Sequence, residues 1–221
     1  NVTIMDGARI GKNCNIFPGA VISAVPQDLK FQDEETTVEI GDNVTIREYV
    51  TVNRGTVDRG KTVIGDNCLI MAYCHIAHDC IVGNNCIFSN NSTLAGHCTV
   101  GDFVILAGMT AVHQFCMIGN HAFVTGGSLV RKDVPPFVKA AREPLSYVGI
   151  NSIGLRRRGF SPDKIKEIQG IYRLLFQKNH NTSQAASIIE AEMEATPERD
   201  EILEFIKNAK RGIMKGYLSN N

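Results

Sequence analysis

A repeat of six residues constrains this chain more than any other feature of its sequence. Branched or bulky apolar residues recur at every sixth position through twelve consecutive hexads. These residues are Ile64, Ile70, Ile76, Val82, Phe88, Leu94, Val100, Leu106, Val112, Ile118, Val124 and Val130. The same phase holds from Ile4 to Val52, where polar insertions at residues 23–39 and 53–62 interrupt it. We interpret both insertions as loops that leave a repetitive core.

A second position of the repeat is reserved for small residues. It follows each apolar position by four places, and all seven cysteines of the chain occupy it. Cysteines that follow a repeat behave as small apolar fillers, unlike the clustered cysteines of disulfide or zinc sites. Between the two positions stand turn formers such as Gly-Asp-Asn at residues 41–43 and 65–67, which tolerate left-handed geometry. We therefore expect structural, reduced thiols inside the core and tight turns at its corners.

Hexapeptide repeats of this kind form a parallel β-helix. In that known fold a triangular coil contains three hexads, about 18 residues, and neighbouring coils lie about 4.8 Å apart. After residue 148 helix-start signals replace the repeat, at Ser161-Pro162-Asp163, at Thr182 or Ser183, and at Thr196-Pro197-Glu198. We predict a mainly β chain, with a parallel β-helix over residues 1–148 and an α-helical C-terminal domain over residues 149–221.

Charge and hydropathy exclude several classes of protein. Lysine plus arginine and aspartate plus glutamate both total 23, so no net field draws the chain to nucleic acid. Residues 103–130 contain no Asp, Glu, Lys or Arg, but two histidines and four glycines within them argue against a transmembrane segment. The first ten residues do not resemble a signal peptide, and we expect a cytoplasmic protein. Because the sequence does not begin with Met, we expect that it starts part-way into the natural protein and that its first element is incomplete.

Histidines mark the region where chemistry is expected. Five of the six histidines lie between residues 75 and 121. With coils of about 18 residues, His78 stacks beneath Gly96 and Gly96 beneath Gln114, while Asp79 stacks beneath His97. A histidine beside a carboxylate and a glycine N–H can remove a proton from a hydroxyl and stabilise the resulting oxyanion. The arrangement predicts a general-base site.

Simpler interpretations stay open at this stage. The histidines are either solvated or, if several converge, ligands of zinc. Asp79 and Gly96 are also typical of ordinary tight turns. The basic run from Arg156 to Arg158, and Lys30 in the first insertion, are either solvated charges or phosphate ligands.

Several interruptions of the repeat closely resemble those of one enzyme family. They are HIAHDC at residues 75–80, LAGH at 94–97, TAVHQF at 110–115, GLRRRGF at 154–160, PQDLK at 26–30 and IRE at 46–48. The family is the acyl-ACP:UDP-N-acetylglucosamine O-acyltransferases of lipid A synthesis. The resemblance covers nearly the whole chain.

The resemblance implies both fold and reaction. The β-helix would be left-handed, and the protein a homotrimer with active sites between subunits. It would transfer a 3-hydroxyacyl group from acyl carrier protein to the glucosamine 3-hydroxyl of UDP-N-acetylglucosamine, the first step of lipid A biosynthesis. Neither metal nor cofactor would take part, since the carrier-protein thioester is the donor substrate. No nucleic acid partner and no membrane span are implied.

The resemblance also implies individual roles. His78 would be the general base, Asp79 would orient it, and the Gly96 N–H would stabilise the oxyanion. Gly126 would limit the length of the acyl chain. The residues expected to bind substrate are Asp28, Lys30, His75, His97, His113, Gln114, Asn151, Arg157 and Arg158. Ile153 stands where family members carry an acidic residue.

Related activities provide the alternatives. The N-acyltransferase that acts later in the same pathway is the nearest, although the C-terminal GLRRRGF run favours the O-acyltransferase. Acetyl-CoA-dependent transferases share the coil but usually lack the helical tail. A zinc carbonic anhydrase on the same coil would bind metal through histidines of adjacent subunits. An ice-binding β-helix would show regular threonine ladders, whereas histidines interrupt the faces here.

Overall fold

The repeat folds into a prism with three flat parallel sheets as its sides. The computed structural model describes residues 1–177 and 180–216, and these contain twenty-two strands and four helices. Along the repeat, successive strands go to the first, second and third sheet in turn. Each strand therefore pairs with the strand one coil below and one coil above it.

The strands are numbered in chain order and fall into three sheets. The first sheet contains β1 (Thr3–Ile4), β4 (Val21–Ala24), β7 (Thr51–Asn53), β10 (His75–Ile76), β13 (Thr93–Leu94), β16 (Ala111–Val112) and β19 (Leu129–Val130). The second contains β2 (Ala8–Ile10), β5 (Thr37–Ile40), β8 (Lys61–Ile64), β11 (Ile81–Val82), β14 (Thr99–Val100) and β17 (Met117–Ile118). The third contains β3 (Asn15–Ile16), β6 (Thr45–Ile46), β9 (Leu69–Ile70), β12 (Ile87–Phe88), β15 (Ile105–Leu106), β18 (Phe123–Val124), β20 (Val138–Ala141), β21 (Ser146–Ile150) and β22 (Lys215–Gly216).

The register confirms the coil of three hexads. His75 pairs with Thr93, and Thr93 pairs with Ala111, so partners are 18 residues apart. Nearer the N-terminus the coils are longer. Thr51 pairs with His75, so this coil contains one additional hexad. Val21 pairs with Thr51, so the preceding coil contains two. The additional residues form two insertion loops, at residues 25–36 and 54–60.

The insertion loops are shorter than the sequence predicted. Strands β5 and β8 begin at Thr37 and Lys61, inside the segments 23–39 and 53–62 that we expected to be loops. Val38 and Thr62 are strand partners, and both side chains are fully buried. Buried alternate positions and ladder hydrogen bonds keep these residues in the sheet despite their polar neighbours.

The interior of the prism is built as the repeat predicts. Each of the twelve apolar residues from Ile64 to Val130 is at most 3% exposed. All seven cysteines are free thiols, and six of them are buried. The Cys86 thiol donates to the Gly101 carbonyl at 3.1 Å, and burial raises the pKa of Cys74 to about 11. Ile4 differs and is 55% exposed, because none of the described coils packs beneath it.

The corner between the second and third sheets carries a ladder of polar side chains, which we call the Asx ladder. It consists of Asp42, Asp66, Asn84, Asp102 and Asn120, each second in its turn. From Asp66 upward, each side chain accepts a hydrogen bond from the ladder residue one coil below, at 2.6–2.8 Å. The ladder thereby joins successive turns and satisfies amides that the strands leave free.

Glycine precedes each residue of the ladder for a steric reason. A Cβ atom on Gly83 would lie 2.4 Å from Asp102 Oδ1 and 2.8 Å from the Gly101 carbonyl carbon. The residue after each ladder position is left-handed, as at Asn43, Asn67 and Asn85, each with φ of 57°. Asparagine adopts this region more readily than most residues, so the Gly-Asx-Asn turns have the conformation that the sequence predicts.

Four helices follow the last coils. They are α1 (Ser152–Arg157), α2 (Pro162–Gln177), α3 (Thr182–Glu192) and α4 (Pro197–Asn208). Starts near Pro162 and Pro197 are as predicted, and Thr196 caps α4. The predicted cap of α3 was wrong, because Asn181 and Gln184 form a reciprocal capping box one residue earlier. Helix α1 had no sequence signal that we recognised. None of the helices among the described residues is long and apolar enough to cross a bilayer.

The helices pack back onto the prism. At the top of the Asx ladder, Asn120 Nδ2 donates to Glu201 Oε1 of α4 at 2.9 Å. Burial, together with the charges of Glu198 and Asp102, raises the pKa of Glu201 to about 7 against this hydrogen bond. The short strand β22 pairs with β21. Since β21 spans the expected boundary between residues 148 and 149, the division into two domains stays a prediction.

The steric role of the corner glycines is testable with a matched pair of substitutions. Gly83→Ala forces a Cβ atom against backbone and should lower the free energy of unfolding by about 1–3 kcal/mol. Gly170→Ala, in the middle of α2, meets only Met193 Cε at 3.8 Å, so it should raise stability by about 0.5–1 kcal/mol. Chemical denaturation measures both. Equal effects of the two substitutions would contradict the proposed packing.

Candidate active site

The predicted histidine stack lies at one corner of the prism, between the first and second sheets. The turns at this corner are residues 77–80, 95–98 and 113–116, and we call it the histidine corner. The turn at 95–98 hydrogen-bonds the turns below and above it, through His97 N to the His78 carbonyl at 3.0 Å and Phe115 N to the Gly96 carbonyl at 3.1 Å. His78, Gly96 and Gln114 therefore follow one another up the corner. Both insertion loops leave the prism at this same corner.

His78 and Asp79 form a hydrogen-bonded pair. The His78 Nδ1 atom lies 2.8 Å from Asp79 Oδ2, and the side chains are 12% and 0% exposed. If Nδ1–H donates to the carboxylate, Nε2 carries the lone pair and is available as a base. Nε2 forms no hydrogen bond within the described chain, so it is free to accept a proton from a bound molecule.

Asp79 is buried as an anion by the second insertion loop. Its carboxylate accepts hydrogen bonds from Thr56 N at 3.0 Å, from Thr56 Oγ1 at 2.7 Å and from Arg59 N at 3.2 Å. Burial raises the pKa of Asp79, but the hydrogen bonds from His78, Thr56 and Arg59 outweigh it and hold that pKa below its usual range. The ionised Asp79 carboxylate fixes the orientation of the His78 ring through this hydrogen bond.

The His78 ring occupies the space that a side chain at residue 96 would need. A Cβ atom on Gly96 would lie 2.6 Å from His78 Cε1 and 2.7 Å from Nε2. Glycine is therefore required for steric reasons at this position. The Gly96 N–H donates to no acceptor in the described part of the chain. Imidazole and amide lie together, as the stacking predicted, and can serve one reacting group.

His97 connects the pair to a pocket under the insertion loops. Its ring meets His78 edge-on with centroids 5.0 Å apart and stacks on Phe115 at 4.5 Å. His97 Nδ1 lies 3.0 Å from Asp58 Oδ2 and 3.9 Å from Asp79 Oδ2. Asp28 and Lys30 of the first insertion loop line the same pocket. Three of the predicted substrate-binding residues thus share one site beside the base.

Three further predicted residues lie near the corner with fewer contacts. His75, in β10, places Nδ1 2.7 Å from Thr51 Oγ1. Burial and the neighbouring His78 charge lower the pKa of His75. His113 and Gln114 are exposed, one coil above Gly96. Their roles toward substrate stay predictions.

A second pocket lies on the third sheet and contains other predicted residues. Asn151 and Arg157 line it together with Lys139 and Ile153. The Asn151 side chain caps α1 by accepting from Gly154 N at 3.2 Å, and donates to the His121 carbonyl at 2.9 Å. Both the oxygen and the nitrogen of the Asn151 side chain thus form hydrogen bonds within the chain. The substrate role of Asn151 stays a prediction.

Arg158 and Gly126 also lie away from the histidine corner. The Arg158 guanidinium lies over the Phe103 ring, 5.1 Å from its centroid. Burial lowers the Arg158 pKa; burial and the Arg158 charge lower that of His121 to about 4. Gly126 lies in the turn between β18 and β19, at the corner between the third and first sheets. Within one chain these residues face different sides of the prism from His78.

The nearest grouping to a metal site in residues 1–177 and 180–216 is the same cluster. Ligand atoms of His78, Asp79 and His97 lie within 4.8 Å of one another. Both Asp79 oxygens already accept hydrogen bonds from the insertion loop. A cation would have to displace these donors, so the cluster fits a hydrogen-bonded base better than a metal centre.

Sequence reasoning missed the second insertion loop as part of the site. Thr56, Asp58 and Arg59 all contact Asp79 or His97. The phase of the repeat could have predicted this position of the loop. An insertion that follows β7 leaves from the corner below residues 77–80, so its polar residues are neighbours of His78.

Comparison with known proteins agrees with this architecture. A family model described as "Bacterial transferase hexapeptide (six repeats)" matches residues 61–96. One described as "Udp N-acetylglucosamine O-acyltransferase; Domain 2" matches residues 133–214. The fold and site therefore define a hexapeptide-repeat acyltransferase with a left-handed parallel β-helix and C-terminal helices, as predicted.

Individual relatives define the family within that class. An acyl-[acyl-carrier-protein]–UDP-N-acetylglucosamine O-acyltransferase of Aquifex aeolicus is 58% identical over 91% of this chain and 78% of its own length. That of Thermodesulfovibrio yellowstonii is 46% identical over 97% and 84%. The crystal structure of a UDP-N-acetylglucosamine acyltransferase from Bacteroides fragilis superposes with a TM-score of 0.96 at 49% identity, covering 97% and 84%. The chain belongs to the acyl-ACP–UDP-N-acetylglucosamine O-acyltransferase family. The resemblance seen in the sequence, and the enzyme class it implied, are confirmed.

The hydrogen bonds to Asp79 generate a prediction with an internal control. Thr56→Val removes the hydroxyl that donates to the buried carboxylate, and should lower the free energy of unfolding by about 1.5–3 kcal/mol. The Asp79 pKa should rise, because the anion loses a donor. Thr62→Val removes a buried hydroxyl without a partner in the described residues and should cost nothing. Denaturation and carboxyl ¹³C NMR titration check both, and a lower Asp79 pKa in Thr56→Val would refute the assignment.

Proposed function

We propose that this enzyme transfers a 3-hydroxyacyl group from acyl carrier protein to the 3-hydroxyl of UDP-N-acetylglucosamine, the first step of lipid A biosynthesis. One observation carries the proposal. The His78 ring, oriented through Nδ1 by the buried Asp79, lies against Gly96, so a base and an oxyanion donor meet at one point. Acyl transfer to an alcohol needs both groups at one reacting centre.

The proposed reaction proceeds without a covalent enzyme intermediate. The sugar 3-hydroxyl attacks the thioester carbonyl carbon while His78 Nε2 takes the hydroxyl proton. The carbonyl oxygen becomes an oxyanion that the Gly96 N–H stabilises. Collapse breaks the carbon–sulfur bond, and the leaving thiolate takes the proton from His78. The products are the 3-O-acyl sugar nucleotide and the free carrier-protein thiol, and the base is regenerated.

The remaining predicted residues are proposed to hold the substrates. Asp28, Lys30 and His97 line the pocket beside the base, where they can hold the sugar. Arg157 and Lys139 bring two positive charges to the second pocket, which suits the phosphates of a nucleotide or of the phosphopantetheine arm. His75, His113, Gln114, Asn151 and Arg158 complete the proposed substrate-binding set.

We propose that the working enzyme is a homotrimer with each site shared between subunits. This is supported by the placement of Gly126 and Asn151 on other sides of the prism from His78, since a second copy is needed to bring such residues to one substrate. No cofactor is required by the proposed steps, because the thioester supplies the activated acyl group. Cytoplasmic carrier protein and sugar nucleotide imply that the enzyme works in the cytoplasm.

Loss of the base should remove activity without loss of fold. His78→Ala is expected to lower kcat by about 10²–10⁴-fold, the usual contribution of a general base. Thermal unfolding should stay close to that of the wild type. His180→Ala, at an exposed histidine far along the chain, is the matched control and should transfer at the wild-type rate. A His78→Ala enzyme that retains most of its rate would refute the base assignment.

A panel of donors tests the reaction class and the acyl-length role of Gly126 together. Wild-type enzyme is assayed with 3-hydroxyacyl carrier proteins of graded chain length and with UDP-N-acetylglucosamine or its 3-O-acylated glucosamine derivative as acceptor. Transfer to the first acceptor only is expected. Gly126→Leu should shift the preferred donor to shorter chains, because its side chain fills space at an exposed turn.

The control for Gly126→Leu is its KM for the acceptor substrate. A Cβ atom at residue 126 lies 3.0 Å from the Gly108 carbonyl oxygen, so a small local adjustment is expected and thermal unfolding is measured alongside. The KM for UDP-N-acetylglucosamine should not change. Unaltered donor selectivity in a stable Gly126→Leu enzyme would disprove the acyl-length role, and transfer only to the acylated acceptor would disprove the proposed function.

A further inference from the structure

The Arg59 side chain joins two successive turns of the histidine corner. Its Nη1 atom donates to the Asp79 carbonyl at 2.9 Å, and its Nη2 atom donates to the His97 carbonyl at 3.2 Å. Nη1 also lies 3.3 Å from Thr99 Oγ1. One rigid guanidinium therefore spans the two coils that carry His78 and Gly96.

The histidine corner lacks the side-chain links that join the turns of the Asx ladder. At the corner between the second and third sheets, the second residue of each turn belongs to the Asx ladder, which joins neighbouring turns. At the histidine corner the equivalent positions are His78, Gly96 and Gln114. None of these three accepts a turn amide through its side chain in the described residues. Main-chain hydrogen bonds still join these turns, and Arg59 adds a side-chain link between them from the second insertion loop.

The Arg59 side chain constrains the distance between the His78 ring and the Gly96 N–H, on which the proposed reaction depends. The Asp79 carbonyl belongs to the residue after His78, and the His97 carbonyl to the residue after Gly96. Holding both carbonyls on one planar group fixes the height of the imidazole relative to the Gly96 N–H. The Arg59 main-chain N–H also donates to Asp79 Oδ1 at 3.2 Å, so backbone and side chain brace the same turn.

We infer that Arg59 is a positioning residue for acyl transfer. The inference rests on the proposed function, in which His78 and Gly96 act on one reacting centre. Arg59 has no part in proton transfer, because its guanidinium contacts main-chain carbonyls and a threonine hydroxyl. Misplacement of reacting groups by about 1 Å can lower a rate about 10²-fold, and this sets the size of the expected effect.

The test compares Arg59→Ala and Arg59→Lys with Arg9→Ala, a control at an exposed arginine of β2. Arg59→Ala should lower kcat by about 10–100-fold and leave the KM for UDP-N-acetylglucosamine within about twofold. Arg59→Lys should fall between it and the wild type, because an ammonium cannot bridge two carbonyls as a guanidinium fork does. Arg9→Ala should match the wild type. The apparent pKa in the pH profile of kcat/KM should be unchanged in all.

Added guanidinium supplies a readout that a purely stabilising role would not move. At millimolar concentration it should restore kcat of Arg59→Ala in a saturable manner and leave Arg9→Ala unaffected. A loss that follows the unfolded fraction, a change confined to KM, a shifted pH profile or absence of rescue would overturn the inference. If Arg59→Ala does not fold, kcat of Arg59→Lys decides, and an unchanged value would overturn it.

A spectroscopic measurement separates failure of this inference from failure of the proposed function. The ring ¹⁵N and Nδ1–H resonances of His78 report its hydrogen bond to Asp79 without any substrate. They should shift or broaden in Arg59→Lys and stay unchanged in Arg9→Ala. Unchanged resonances would refute the positioning role even if the wild type proved inactive on the proposed donors. Shifted resonances with an inactive wild type would instead refute the function.

Discussion

The main-chain hydrogen bonds between coils determine the rest of this structure. Each short strand has only two to five residues, and none would be stable alone. Stacked in parallel at a register of 18 residues, they form continuous sheets around an interior that accepts one bulky and one small residue per hexad. That register converts sequence separation into spatial contact. Residues 18 apart become neighbours, and the arrangement of the histidine corner follows from this rule.

The rule also explains which parts of the structure could be predicted. The core, the thiols, the turns and the juxtaposition of His78 with Gly96 all follow from the phase of the repeat. The ends of the insertion loops did not, because Val38 and Thr62 gain burial that local polarity conceals. Contacts made by Asp58 and Arg59 required the path of a loop outside the repeat, and no periodicity specifies that path. The capping of α1 by Asn151 was not predicted, because a helix of six residues has no recognisable apolar periodicity, and the substrate role of Asn151 stays a prediction.

Two corners of the prism use the same turn position for different purposes, one for cross-coil hydrogen bonds and the other for the candidate active site. Along the Asx ladder, an Asp or Asn side chain at the second turn position joins each turn to the next. Where His78, Gly96 and Gln114 occupy it, the same position presents reactive groups to solvent. Both insertion loops leave the prism at that corner, and the second of them donates hydrogen bonds to Asp79. An insertion into the repeat thereby supplies polar contacts that the active corner does not obtain from its own turns.

The contact between Asn120 and Glu201 has a consequence for the assembly of the whole molecule. A solenoid ends in unpaired strand edges that can recruit further strands, and natural repeat proteins protect such ends. Here Asn120, the last residue of the Asx ladder, is hydrogen-bonded to α4, and β21 and β22 continue the third sheet beyond β20. The C-terminal segment therefore places helix α4 and non-repeat strands at the end of the prism where another coil would otherwise stack.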